Sequence, residues 1–362
     1  MIMTVCWKFF QWLAPDHPII AVMTRRLAEV AQKVGVSEAT VSRVLNGRPG
    51  VSESTRTAVL TALDVLGYER PTQLRGERNR LVGLVLPELQ NPIFPALAEI
   101  LGNALAREGF TPVLCTRAPG GVSEADYVDL LLQQQVSGVV FAGGAYAQGD
   151  AGHAHYQRLL ERNLPTVLIN AAVDHLRFPQ VSCDDALAVE QGLGHLRALG
   201  HERIGLLLGP TDHVPSQRKQ AAFRSLLAGT GLPADLVEHG LFSIEGGQAA
   251  ATRLLPRGVT AILCASDPLA LGAIRAVRRQ GLTVPGDVSV VGYDDSALMR
   301  SVDPPLTTVR QPIEAMGRAV VELLVKQVNG GQVAVEELLF APELVVRGST
   351  TRAPATPATG TG

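Results

Sequence analysis

The chain has 362 residues, 46% of them hydrophobic, which exceeds one small module and suffices for two or three domains with real cores. Lys and Arg number 32 against 34 Asp and Glu, and the resulting net of −2, taken as an average, weighs against a nucleic-acid partner. The distribution reverses that: residues 24–80 carry ten basic and six acidic side chains (+4) and residues 81–362 carry 21 and 27 (−6), so an anionic partner is implied for the head alone.

Residues 1–23 hold a short apolar patch with Lys8 as its one early cation, interrupted by Pro15, Asp16, His17 and Pro18. No small-residue cleavage site follows, so the segment reads as a disordered extension rather than a signal peptide, with Met23 as the natural beginning. Cys6, Cys115, Cys183 and Cys264 lie far apart, without the paired spacing of zinc or redox sites, and read as reduced residues of a cytoplasmic protein. No apolar run approaches the roughly 20 residues of a membrane span.

From residue 24 to 68 the hydrophobic period is helical. Leu27, Val30, Ala31 and Val34 share one face, Val41, Val44 and Leu45 a second, and Val59, Ala62, Leu63 and Leu66 a third. Gly35 fits a tight connection, Ser37 and Ser52 are placed as N-caps, and Asn46-Gly47 and Gly67 as stops. Three short helices, two joined by a Gly-containing turn, match a helix-turn-helix. A polar, basic linker spans 69–80. Beyond it, through residue 350, apolar runs (LVGLVLP, TPVLCT, SGVVFAG, PTVLIN, RIGLLLG, AILCAS, VSVVGYD) alternate with amphipathic helices. That alternation predicts parallel sheets covered on both faces, and the length suits two doubly wound α/β halves. Residues 351–362 read as a disordered tail.

Catalytic signatures are scarce. There is no GxxxxGK[ST] loop, no GxSxG elbow, no HExxH and no dinucleotide fingerprint, so no enzyme activity, cofactor or metal is expected. His153 and His155 flank Ala154 and read as solvent-facing rather than as metal ligands. The sharper signal is the second helix, SEATVSRVLNG. With Val41, Val44 and Leu45 inward, Ser37, Glu38, Ala39, Ser42, Arg43 and Asn46 remain outward: small residues for close approach, Arg43 for a guanine edge, and Thr40, Ser42 and Asn46 for phosphates or bases. The competing reading is the solvated face of an ordinary helical hairpin.

RLAEVAQKVGVSEATVSRVLNGRPGVSESTRTAVLTALDVLGY resembles the DNA-binding head of the lactose-repressor/galactose-repressor (LacI/GalR) family, and the likeness continues through VGLVLPELQNPIF, HLRALGHERIGLLLGP, SDPLALGAIRAVRRQGLTVPGDVSVVGYDD and PPLTTVRQP. The resemblance implies a helix-turn-helix head on a two-lobed, periplasmic-binding-protein-like (type I) sensor. It also implies a homodimer on operator double-stranded DNA and a small-molecule effector, a sugar or nucleobase, between the lobes. Carried over by position, Arg43 and Ser37, Glu38 and Ala39 read bases, while Thr40, Ser42 and Asn46 touch phosphates; Arg26 joins the DNA-contacting set. Ala28 stands where some relatives place a Tyr. The linker is three residues shorter than usual between Tyr68 and Leu74, leaving Leu74 as the minor-groove wedge and Arg75 for phosphate.

Doubly wound sheets bind ligands beyond the carboxyl ends of their strands. Asn91, Phe94, Asn170, Ser266, Asp267 and Asp294 fall there, with Arg218 in the helix after RIGLLLGPTDH, and all match the family's ligand-facing positions. Carboxylate and guanidinium together suit a polyol, whereas Asp184 and Asp295 read as structural. Ser266 and Asn170 replace a frequent Asn and Asp, and with few aromatics stacking on the ligand is expected to be limited. Together these features point to a repressor-type transcription regulator sensing a sugar. The alternative is a sugar-binding or sugar-modifying α/β protein whose helical head makes protein contacts.

Overall fold

The computed structural model describes residues 29–45, 50–65, 80–117, 121–148, 152–170 and 176–354. Arg26, Asn46, Leu74 and Arg75, the extension and most of the linker and tail lie outside them. The described residues form two compact units divided at Asn79–Arg80.

In the first unit, residues 29–34 (α1), Glu38–Leu45 (α2) and Glu53–Val65 (α3) are helical. Val30, Ala31, Val41, Val44, Val59 and Ala62 make its core, with Val34, Val36, Val51 and Leu60 packed at the margin. The turn between α1 and α2 needs Gly35, whose φ of +74° is costly for any residue with a Cβ. The amides of Gly35 and Val36 both donate to the Ala31 carbonyl, closing α1. Ser37 and Ser52 cap the next two helices by accepting from the amides of Thr40 and Thr55 (3.2 Å each).

The second unit is a pair of α/β lobes. Strands β1 (Leu81–Leu86), β2 (Thr111–Thr116), β3 (Gly138–Ala142), β4 (Thr166–Ile169), β5 (Gln180–Cys183) and β11 (Glu337–Phe340) build the first lobe's sheet in the order β11-β5-β4-β3-β1-β2, all parallel. Strands β6 (Ile204–Leu208), β7 (Val237–His239), β8 (Ala261–Cys264), β9 (Ser289–Asp294), β10 (Thr307–Arg310) and β12 (Glu343–Val345) build the second in the order β12-β10-β9-β8-β6-β7, with β12 antiparallel at the edge. On β1, Val82, Leu84 and Leu86 enter one core and Val85 the other, so the strand is apolar throughout because both faces are covered.

Helices α4 (Ile93–Arg107), α5 (Glu124–Gln133), α6 (Ala154–Glu161) and α11 (Ile313–Val328) flank the first sheet; α7 (Asp185–Ala198), α8 (Val214–Leu227), α9 (Ile244–Leu254) and α10 (Asp267–Arg279) flank the second. α9 and α10 approach so closely that a Cβ on Gly272 would collide with the Ile244 carbonyl. The chain passes between lobes three times, at β5–α7, β10–α11 and β11–β12, so the lobes are joined by three short hinge segments.

Candidate functional site

On α2 the apolar pair Val41 and Val44 is buried, which leaves Ser37, Glu38, Ala39 and Arg43 exposed and Thr40 and Ser42 half-buried. The six candidate DNA-facing residues that are described therefore share the outer surface of the helix. Ser37 is also the N-cap, and its hydroxyl lies 2.9 Å from that of Thr40, so both are held in fixed orientations.

In the α/β unit a cavity of about 180 Å³ opens where the carboxyl ends of both sheets meet. Asn91, Phe94, Asn170, Ser266 and Asp294, five of the seven sequence candidates, line it. Asn170 and Asp294 stand at strand ends with φ of +59° and +113°, and Asp295 follows at +58°. Such backbone is rare outside glycine, and clusters where a site over-determines it. A polar relay crosses the cavity floor: Asn170 Nδ2 donates to Gln311 Oε1 (3.0 Å) and Gln311 Nε2 donates to Asp294 Oδ1 (2.7 Å). The Cys183 amide fixes Asn170 by donating to its Oδ1 (3.0 Å). Asp294 Oδ2 is buried without a hydrogen-bond partner. Burial, and next the nearby Asp267 charge, push the Asp294 carboxyl well above the ordinary range.

Two candidates are placed elsewhere. Asp267 is completely buried behind the wall, accepting from the Ser296 amide (2.7 Å) and the Thr308 hydroxyl (2.8 Å), which makes it a brace for the start of α10. Burial, outweighing those hydrogen bonds, raises its pKa to about 6. Arg218 does not line the cavity; its guanidinium pairs with Glu337 (2.8 and 3.2 Å). The inward face of α8 is Pro215, Ser216, Lys219, Phe223 and Leu227, and one residue of helix turns a side chain by about 100°, so Lys219 takes the wall instead. Lys219 is buried, ion-pairs with the equally buried Asp185, and sits over the Tyr293 ring at 4.2 Å. The burial of Asp185 raises its pKa, offset in part by Lys219.

Lys219, Asp185, Gln311 and Tyr293 are cavity residues that the sequence reading missed. The i, i+4 spacing from Pro215 to Lys219 was the available signal for Lys219; nothing local marks Gln311. With Phe94 and Phe242, Tyr293 makes a third ring in the lining, more aromatic surface than the composition suggested. Asp184 and Asp295 have the structural roles foreseen: Asp184 caps α7, accepting from Ala186 and Leu187, and Asp295 pairs with Arg310 and Arg347. His155 departs from expectation. It is buried, because the buried Glu124 requires donors and takes them from His155 Nε2 (3.0 Å), the Tyr156 hydroxyl and the Ala145 amide. Burial alone would raise the Glu124 pKa, but these hydrogen bonds outweigh it and hold it low. Among the described residues no group of His, Cys, Asp or Glu is arranged to hold a metal, and no helix is long and apolar enough to cross a membrane.

A helix-turn-helix head with a polar outward helix, followed by two α/β lobes around a largely apolar cavity with convergent polar side chains, defines a ligand-responsive DNA-binding regulator. The family model "Bacterial regulatory proteins, lacI family" matches residues 26–71, and a periplasmic binding protein-like domain matches 193–350. The chain is 52% identical over 338 residues to the HTH-type transcriptional regulator MalR of Streptomyces coelicolor, covering 92% of this chain and 98% of that one. It is 33% identical to the HTH-type transcriptional repressor CytR of Escherichia coli K12, covering 91% and 97%. Among solved structures, the transcriptional regulator CelR–cellobiose complex superposes with a TM-score of 0.68 at 34% identity, covering 89% of this chain and 99% of that one. The lac repressor dimer bound to operator and an anti-inducer gives 0.68 at 30%, covering 89% and 98%. The chain belongs to the lacI family of bacterial transcriptional regulators.

Proposed function

We propose that this regulator is a repressor that binds operator DNA as a homodimer through α2 and that a sugar in the inter-lobe cavity sets its operator affinity. The observation that carries the ligand class is the Asn170–Gln311–Asp294 relay with its unpartnered Asp294 Oδ2: amide donors, amide acceptors and a carboxyl group in one wall suit vicinal hydroxyls, and Phe94, Phe242 and Tyr293 supply faces for a ring's C–H surface. Asn91, Asn170, Ser266, Asp294, Lys219 and Gln311 are the proposed contacts; Arg218 and Asp267 act from behind them. The likeness to the CelR–cellobiose complex and to the operator-bound lac repressor dimer supports the sugar and the dimer. Action on DNA places the protein in the cytoplasm, and its chemistry is binding rather than catalysis.

On DNA, Ser37, Glu38, Ala39 and Arg43 would read base edges, with Arg26, Thr40, Ser42 and Asn46 positioning α2 on phosphates and Leu74 and Arg75 serving the linker. Two heads would occupy successive major grooves of a pseudo-palindrome about one helical turn apart. A gel-shift on the protein's own upstream region, with and without a panel of mono- and disaccharides, tests this reading. Sequence-specific binding that one sugar shifts is the expected result; absence of sequence-specific binding under every condition overturns it.

A further inference from the structure

Arg218 and Lys219 are consecutive on α8, yet they serve different surfaces. Lys219 forms cavity wall and pairs with Asp185, at the hinge where β5 passes into α7. Arg218 reaches from the second lobe to Glu337 on β11, the edge strand of the first lobe's sheet. Both terminal nitrogens of its guanidinium, Nη1 and Nη2, donate to the carboxylate, the two-point geometry that makes such pairs directional. Arg218 and Glu337 also act electrostatically on Asp185, so Lys219–Asp185 and Arg218–Glu337 form one charge cluster of zero net charge spanning the lobe boundary. The same end of α8 touches the first lobe twice more. His213 pairs with Gln148 through an antiparallel backbone bridge, and Val214 packs against the first lobe's smaller core.

We propose that Arg218 is a positioning residue: by binding Glu337 it clamps the start of α8 onto the first lobe, holding the lobes closed and Lys219 at the cavity wall. The clamp deepens the reading of the cavity as a ligand site, and its consequence for ligand binding rests on that reading. A ligand that draws Lys219 away from Asp185 changes the field at Arg218, so occupancy of the cavity and closure of the lobes share one set of charges. Closure is a hinge motion about the three crossing segments, and the clamp lies at the boundary those segments span.

The test is hydrogen exchange read by mass spectrometry on the full chain, without operator or ligand, so that its failure is distinguishable from failure of the regulator reading. Glu337→Gln keeps the shape of the side chain and removes its charge. Peptides spanning Gln148 and His213–Lys219 are expected to exchange at least about fivefold faster than in the wild type, while peptides of β3 and β8 exchange at the wild-type rate. The charge-swapped double variant Arg218→Glu/Glu337→Arg is expected to bring the boundary peptides back to within about twofold of wild type. Unchanged exchange at the boundary in Glu337→Gln overturns the proposal, as does equal acceleration everywhere, which would make the pair a contributor to global stability only. Should Glu337→Gln not fold, the double variant decides alone: wild-type boundary exchange supports the clamp, and fast boundary exchange with a protected core refutes it.

Discussion

Replacing Lys219 by Met should destabilise the α/β unit in a way that depends on pH. Lys219 and Asp185 are 5% and 8% exposed, so the substitution leaves a buried carboxyl without its counter-charge and removes the cation from the Tyr293 ring. Breaking one partner of a buried pair costs about 3–5 kcal/mol. For a unit of this size each kcal/mol is worth about 2–4 °C, so the melting temperature should fall by roughly 10 °C at neutral pH. The carboxyl can escape by protonating. Burial already raises Asp185 above its ordinary value, and losing Lys219 raises it further. A carboxyl raised on folding stabilises fully below its unfolded pKa and loses that contribution as pH rises through the folded one. Wild type and variant are therefore alike in this respect at low pH. Above the wild-type value the deficit opens by about 1.36 kcal/mol per pH unit until the variant's own pKa is passed. Thermal unfolding at pH 5 and pH 8 checks this, together with the Lys219→Met/Asp185→Asn double variant, which should recover most of the loss because neither charge is left buried alone. An equal deficit at both pH values, or a double variant as unstable as the single, would refute the reasoning.

Arg43→Ala should weaken operator binding by about 1–3 kcal/mol and relax preference at one base pair, read by gel-shift against single-base operator variants. Equal loss on all sequences would make Arg43 a phosphate contact. Ser266→Ala removes the N-cap of α10, whose hydroxyl accepts from the Leu269 amide at 3.3 Å, and should cost about 1 kcal/mol in denaturant unfolding with the slope unchanged. Burial, and next the Lys219 charge, depress His213 to a pKa of about 4. Folding therefore favours its neutral form, and the stability it contributes, complete above pH 6.5, is lost as pH falls from there toward 4. His213→Asn should flatten that part of the acid stability profile, and an unchanged profile would exclude the role.

Six of the seven strands legible in the sequence are buried on both faces, and continuous apolar runs such as LVGLVL and IGLLL carry that burial directly; the edge strand TPVLCT, mostly exposed, is the exception. QVSC, VEH, TTVR, ELLF and ELV were missed. They are short, and in each the strand state comes from pairing with a neighbour, as Thr308 does with both Gly292 and Val345. The return of β11 to the first lobe, from a segment that follows nearly all of the second, has no local signature. In the site, the strand-end rule located Asn170, Ser266 and Asp294. It failed where two candidates are adjacent: Asp184 caps a helix while Asp185 lines the cavity, and Arg218 reaches the other lobe while Lys219 takes the wall. Composition can supply the right residue types there, but only the phase of a helix chooses between neighbours.

Gln311 shows why binding and hinge motion are coupled in this architecture. It lies in the two-residue passage between β10 and α11, one of the three segments that join the lobes, and it is 4% exposed. Its amide donates to Asp294 of the second lobe and accepts from Asn170 of the first. A ligand that hydrogen-bonds either partner must compete with Gln311 or be bridged by it, and in both cases the backbone it acts on is a hinge. A ligand shifts a conformational equilibrium only by its differential affinity for the two states. Where contact residues stand apart from the hinge, equal affinity for both states is easy to arrange. Here the contacts change whenever the lobes rotate, so any ligand held by this relay distinguishes open from closed.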